Sequence, residues 1–434
     1  MVETKNETPL KILMTASRGV GHVNASMGIG KLLAQKGHDV MFIHFPEHQE
    51  LVERQGVKFI SLWDYKGANE IPTEGFLHDS TMKDTFDSSK KYTPQDIMSN
   101  RGGRGGRGGR GRGGGGKGGM PSINGENDAI INAINSIKPD AVLGDYRWPM
   151  PFMTNCPVPF IPIMSNAPLQ LYNGPPLGSG LSVFDSPEKW EEYRSSNKGF
   201  GPHGSSDGNP WGYAEYLGIY IYPEALDYKE LGPPAKNWVR LDSSIRKPDS
   251  EDFEIPDKLK DKPGKLIYVS MGTNASNNPQ LIKMLVDACA LIPHRFIVAT
   301  GKNGDSIPLP DNVWGDKFLK QVNILPKVDL VVTHCGSNSL IESLCFGKPM
   351  VTIPQFDDQL DNGQRVADLK LGKVISMWQF TEEKFASAIE EVLNSAEIHE
   401  NVEKISKEMS QSSAPDKVVE LIEYVARNRK SPFE

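Results

Sequence analysis

The stretch from Asp329 to Asn362, DLVVTHCGSNSLIESLCFGKPMVTIPQFDDQLDN, constrains this chain more than any other. A short apolar run ends at polar His334 and at Gly336, and from Asn338 the residues can continue as a helix, so the break is a strand-to-helix junction. The first turn of a helix has backbone N–H groups without intrahelical partners and carries partial positive charge. Gly336, Asn338 and Ser339 can therefore offer donors to a diphosphate. Glu342, one turn further on, is placed to accept from ribose hydroxyls. Many α/β folds contain one such junction, so its meaning depends on the rest of the chain.

A chain of 434 residues exceeds one ordinary core and predicts two domains of about 200 residues each. Lys11 to Ala16 (KILMTA) reads as a strand, SRGVGHVNAS as a glycine-bearing loop, Met27 to Lys36 as a helix and Val40 to His44 as a second strand. The alternation recurs at DAVLGD after Pro139 and at Phe160 to Met164, giving a first α/β domain over 1–243. The charged, proline-bearing segment 244–265 reads as a linker. A second domain over 266–415 restarts with LIYVSM at Leu266 to Met271 and continues through Phe296–Ala299, Val322–Leu325 and Leu330–Thr333. The last segment, 416–434, holds an amphipathic helix from Lys417 to Arg427 with Val418, Val419, Leu421, Ile422 and Val425 available for one face.

The net charge of −7 argues against a protein that mainly coats nucleic acid. Arg101 to Gly119, RGGRGGRGGRGRGGGGKGG, is the exception: without an apolar residue it has nothing to bury and reads as a disordered insertion in the first domain. Such tracts bind single-stranded nucleic acid through phosphate attraction and guanidinium stacking. This one lacks interleaved aromatics, and a tolerated low-complexity insertion is favoured over an RNA-binding role. Four cysteines without metal-ligand spacing read as reduced thiols, and the polar N-terminus with no apolar run of about 18 residues predicts a cytoplasmic protein without a membrane span.

His334-Cys335-Gly336-Ser337-Asn338-Ser339, then Glu342, Gly347, Pro349, Pro354, Asp358-Gln359 and Asn362, resembles the donor-binding signature of the UDP-glycosyltransferase superfamily in its plant, macrolide-type and arthropod branches. The resemblance implies the GT-B fold, two doubly wound Rossmann-like α/β domains facing a cleft, with the last helix crossing back to the first domain. It further implies that His334 and the amides near Asn338 and Ser339 hold a pyrophosphate, that Glu342 takes the ribose, and that Asp358 and Gln359 take sugar hydroxyls. Phe318 and Gln321 stand where the family carries Trp-x-Pro-Gln, so Phe318 offers a smaller aromatic face to uracil. Gly272-Thr273 resembles the family's second approach to the phosphates, and Gly21 falls in the loop on the opposite side of the cleft. Ser337 stands where plant members have Trp. The donor expected from the Asp358-Gln359 pair is UDP-glucose, as a co-substrate with no cofactor.

Sugar transfer to an alcohol needs a base. A lone loop histidine is more often structural than catalytic. His22 becomes the expected base because Gly21-His22-Val23-Asn24 resembles the family's catalytic segment between the first strand and first helix. An imidazole base needs a carboxylate to fix its tautomer, and Asp145, at the end of AVLGD, is the expected partner. Asp140 begins the same run and so lies at the wrong end. The resulting reaction is a single displacement that inverts the anomeric carbon. A metal reading of Asp357-Asp358 is disfavoured, since adjacent acidic residues diverge and no other ligand cluster accompanies them.

Trp148, Met150, Phe152, Met164 and Tyr172 are candidate acceptor-pocket residues, expected to suit a small lipophilic or aromatic alcohol. The expected protein is thus a monomeric UDP-sugar-dependent O-glycosyltransferase of small-molecule conjugation. The competing readings are a GT-B transferase or epimerase acting on UDP-N-acetylglucosamine, and an RNA-binding protein on the same fold.

Overall fold

The computed structural model describes residues 8–68, 86–99, 121–146, 149–196, 214–242 and 252–434. The Arg101–Gly119 tract, Trp148 and part of the expected linker lie outside them.

The first sheet is built from β1 (Lys11–Ala16), β2 (Asp39–His44), β3 (Lys58–Ser61), β4 (Ala141–Asp145), β5 (Phe160–Met164), β6 (Gly218–Ile221) and β7 (Trp238–Leu241). Its seven parallel strands run in the order β3-β2-β1-β4-β5-β6-β7. The second sheet uses β8 (Leu266–Ser270), β9 (Arg295–Ala299), β10 (Val313–Asp316), β11 (Leu330–Thr333), β12 (Met350–Thr352) and β13 (Gly372–Val374). Its six parallel strands run β10-β9-β8-β11-β12-β13. Both are doubly wound sheets, as the sequence predicts, and each reverses direction between its first and fourth strands. Ile12, Met14 and Ala16 face one helical layer while Leu13 packs in the other cluster, which is why β1 reads as a nearly continuous apolar run.

Some local expectations differ. The first helix runs Val20–Gln35, seven residues earlier than its apolar pattern starts, so His22 sits in the first helical turn and not in a loop. Val322–Leu325 falls in the helical turn Gln321–Ile324 and the 3-10 turn after it, an outcome that so short a run, three apolar residues around Asn323, cannot distinguish from a strand.

The closing helix, Ala414–Asn428, buries Val418, Val419, Ile422, Val425 and Ala426 and packs on β7 and the first helix. His38 Nε2 lies 2.8 Å from Glu423, and Arg427 donates to the Thr8 carbonyl at 3.0 Å, so the helix is bonded to the first domain. The helix Asp358–Asp368 holds the front of the same seam. Both Asp361 oxygens accept from backbone amides of the first domain, Gly178 at 2.5 Å and Gly180 at 2.9 Å, and burial pushes this carboxyl up to about 8.

Residues 86–99 precede the Arg/Gly tract yet pack on the second domain. Tyr92 and Ile97 are buried in the cluster formed by Ile282, Val286 and Met377, and the Pro94–Ser99 helix lies against the Pro279–Ala290 helix. Lys91 pairs with Glu382 at 2.6 Å across the same contact.

His44 ends β2 fully enclosed, beside the His48 ring at 4.8 Å, with neither ring nitrogen in a well-formed hydrogen bond. Burial, then His48, holds its pKa at about 4. Between pH 6.5 and 4 the unfolded chain binds a proton that the fold refuses, so stability is present above that window and falls as pH drops through it, by up to about 3 kcal/mol. Denaturant unfolding at pH 7.5 and 4.5 checks this: His44→Phe is expected to reduce the acid loss.

Candidate functional site

Ligands of open α/β sheets bind outside the carboxyl ends of the strands where the strand order reverses. In the first sheet that point lies between β1 and β4, whose terminal residues Ala16 and Asp145 are register partners. His22 enters from the helix that follows β1. Its Nδ1 lies 3.0 Å from Asp145 Oδ2, and the Asp145 side chain is 3% exposed against 25% for His22. A carboxylate accepts only, so Nδ1 carries the proton and donates to it, which makes Nε2 the basic nitrogen on the opposite edge of the ring. Ser165, just beyond β5, places its Oγ 3.2 Å from the same Nδ1. Sequence reading missed Ser165; its position at a strand end next to β4 was the available signal. Asp140 binds the Lys11 amide at 2.8 Å, at the opposite end of the sheet.

In the second sheet the reversal lies between β8 and β11, where Ser270 and Thr333 are partners. Gly272 and His334 follow these two strands. A Cβ on Gly272, whose φ is +69°, would lie 2.4 Å from His334 Nε2, and one on Gly336 would lie 2.6 Å from the same atom. The imidazole thus sits where only glycines let the chain approach. Burial depresses its pKa to about 4, offset in part by a hydrogen bond with the Ser270 backbone, so His334 is a neutral hydrogen-bonding group at neutral pH. Cys335 adopts φ +64° between them, turning the chain from β11 into the Ser337–Cys345 helix. That helix has Gly336 as its N-cap and no side-chain cap, so its first amides face outward from the strand end.

Gly272→Ala is expected to weaken UDP binding about 10- to 100-fold, from left-handed strain plus displacement of His334. Calorimetric titration checks it. Against a His334→Ala background the further loss is expected to shrink.

The two switch points are tied together. Asn338 Nδ2 donates to the Gly21 carbonyl at 2.8 Å, joining the first turns of the two helices that carry His334's neighbours and His22. Asp358 Oδ2 accepts from Ser337 Oγ at 3.1 Å and from the Ala167 amide at 3.3 Å, so it too stands at the meeting of the domains. Asp357, with φ +60°, is the N-cap of the helix that Asp358 opens. Gln359 is buried, its Oε1 accepting from the Gln355 amide at 3.1 Å. Ser337 also receives a hydrogen bond from Asn362 at 3.1 Å.

Further along the second sheet, Gln321 Nε2 donates to Glu342 Oε2 at 2.6 Å, both residues being buried. Phe318, three residues before Gln321, is 69% exposed, an unusual state for a phenyl ring and one suited to stacking. Thr273 is exposed beside Gly272, while Ser339 is buried in the following helix.

The expected acceptor residues are not brought together as a pocket. Phe152 is fully buried between the Tyr146 and Phe160 rings, and Met150 joins that cluster. Met164 packs in the core on the other face of the sheet, and Tyr172 donates to Asp227 at 2.6 Å. Large apolar residues near a strand end packed inward, as such residues usually do. Trp148 lies outside the described residues.

The family model described as UDP-glucoronosyl and UDP-glucosyl transferase matches residues 227–433. An uncharacterized UDP-glucosyltransferase, YdhE of Bacillus subtilis (strain 168), is 28% identical over 221 residues, 49% of this chain and 53% of that protein, so the match spans about half the relative's length. The demethyllactenocin mycarosyltransferase of Streptomyces fradiae is 23% identical over 93% of this chain and 84% of its own. Among solved structures, the glycotransferase of kitacinnamycin superposes with a TM-score of 0.64 at 18% identity, covering 98% of this chain and 99% of that one. No helix among the described residues is long and apolar enough to cross a membrane.

Proposed function

We propose that the chain is a member of the UDP-glycosyltransferase superfamily, whose family model matches residues 227–433, and that it is an inverting O-glycosyltransferase that moves a hexose, glucose from UDP-glucose, to a hydroxyl of a small lipophilic or aromatic acceptor. The observation that carries the reading is the His22–Asp145 pair at 3.0 Å, joined through the Asn338–Gly21 bond at 2.8 Å to the second domain's phosphate junction. Ser165 meets the protonated Nδ1 edge of His22 and not the basic Nε2, so it is not activated as a nucleophile, and a base with an orienting carboxylate favours direct displacement.

In this reading His22 Nε2 takes the acceptor proton as its oxygen attacks the anomeric carbon, and Asp145 stabilises the imidazolium that forms. The C–O bond to the diphosphate breaks as the new one forms. UDP leaves into the amides at the start of the Ser337–Cys345 helix and the His334 ring, whose donors take up the charge without a cofactor. The Gln321–Glu342 pair holds the ribose and Phe318 stacks on the base. A buried carboxylate at the ribose end favours a nucleotide offering two hydroxyls over a 2′-deoxy one.

The test is a donor panel of UDP-glucose, UDP-glucuronate, UDP-N-acetylglucosamine and a thymidine diphosphate sugar, each with phenolic and alkyl alcohols, following nucleotide release and the anomeric configuration of the product. UDP-glucose with a phenol is expected to be fastest, with inversion. Release of free nucleotide without a conjugate, or retention at the anomeric carbon, overturns the reading.

A further inference from the structure

A second carboxyl stands at the first domain's switch point. The Pro121–Ile137 helix leads into β4 through the turn at Lys138, so it runs antiparallel to the strands and its first turns lie over their carboxyl ends. Glu126 projects from that part of the helix, and its Oε1 accepts from the Tyr146 hydroxyl at 3.2 Å. Tyr146 directly follows Asp145, and its oxygen also lies 2.8 Å from Thr15 Oγ1 on β1. The carboxyl is therefore anchored over the β1–β4 reversal, where Asp145 holds His22, but from the face opposite the His22 helix. Arg18, in the loop between β1 and that helix, is its nearest charged influence and pairs with Glu47 at 3.1 Å.

Thr15 already contacts the Tyr146 hydroxyl, and among the described residues that phenol is the hydrogen-bond partner of the half-buried Glu126 carboxyl, an arrangement that costs part of the carboxylate's hydration. Burial pushes Glu126 up to about 7, so at neutral pH the group is available both as an acceptor and as a donor. Costly polar groups kept at a ligand-binding edge are commonly there for the ligand.

We propose that Glu126 is a specificity-determining residue that hydrogen-bonds a second hydroxyl of the acceptor while His22 takes the proton of the hydroxyl being glycosylated. This rests on the glycosyltransferase reading, and it narrows the acceptor class to aromatic or lipophilic molecules bearing two hydroxyls. Tyr146 orients the carboxyl through Oε1, and Oε2 is the oxygen the acceptor meets.

The experiment compares 2-naphthol with 2,7-dihydroxynaphthalene on the wild type, Glu126→Gln and Glu126→Ala, in the presence of UDP. Binding is measured by calorimetry, and turnover separately by UDP release from UDP-glucose. The wild type is expected to prefer the diol, and E126A to lose about 10-fold in diol affinity with the mono-ol unchanged within about 2-fold. E126Q, of the same shape and still able to hydrogen-bond, is expected to keep part of the preference; it also serves if E126A melts early. Equal affinity of the wild type for the two naphthols, or an equal loss for both in the variants, overturns the proposal. Absence of UDP release with every acceptor would fault the reaction, while the binding comparison would still judge Glu126.

Discussion

Replacing His22 with alanine is expected to lower kcat/KM for glycosyl transfer by about 10²- to 10⁴-fold and to leave UDP affinity unchanged. The separation follows from where the residue sits. His22 and Asp145 belong to the first sheet's switch point, and the groups proposed to meet the diphosphate belong to the second. Asp145→Asn tests the same pair more finely. The amide keeps the shape but can present its N–H to Nδ1, favouring the tautomer that carries its proton on Nε2, so transfer is expected to fall while the thermal midpoint changes little. Ser165→Ala, which removes a 3.2 Å contact to Nδ1, is expected to have a smaller effect. Single-turnover assays with saturating donor, together with UDP titrations, measure both arms. Unchanged turnover in His22→Ala would remove the base assignment.

Replacing Arg365 with alanine is expected to destabilise the protein by about 3–5 kcal/mol, a loss set by what the guanidinium leaves behind. Arg365 is buried on the Asp358–Asp368 helix of the second domain and reaches into the first. Its Nε donates to the Leu226 carbonyl at 2.8 Å, Nη2 to the Asp227 carbonyl at 2.6 Å, and both terminal nitrogens to Glu230 at 3.1 Å. The guanidinium also lies 5.0 Å from the Tyr228 ring centroid. Truncation strands the Leu226 and Asp227 carbonyls at the seam, while the exposed Glu230 carboxylate turns to water; Lys retains the charge and loses the fork. Arg365→Lys is expected to recover less than half of the loss in denaturant unfolding. A melt unchanged in Arg365→Ala would mean that the seam adds little to cohesion.

Much of this architecture is legible in the sequence because parallel strands are buried on both faces. KILMTA and FIPIM are apolar runs whose ends match β1 and β5. The start of the first helix was obscured because Gly19, Gly21 and Asn24 resemble loop residues, although the chain is already helical at Val20. The Gly272–His334 contact could not be read from residue types, since it depends on two strands far apart in sequence ending side by side. The Gln321–Glu342 and Glu126–Tyr146 bonds were hidden for the same reason. Aromatic and Met residues after Asp145 suit a pocket and a core equally by composition, and only packing separates the two for Met150 and Phe152.

The placement of residues 86–99 changes what a domain means in this chain. Tyr92 and Ile97 come from the first half of the sequence but fill the hydrophobic cluster of the second, while the last helix fills the first half's outer layer. Each half thus lends the other part of its interior. A cut in the linker would yield two fragments that each expose apolar surface meant for the other, so the halves have no separate melting transitions to offer and the folding unit is the whole polypeptide.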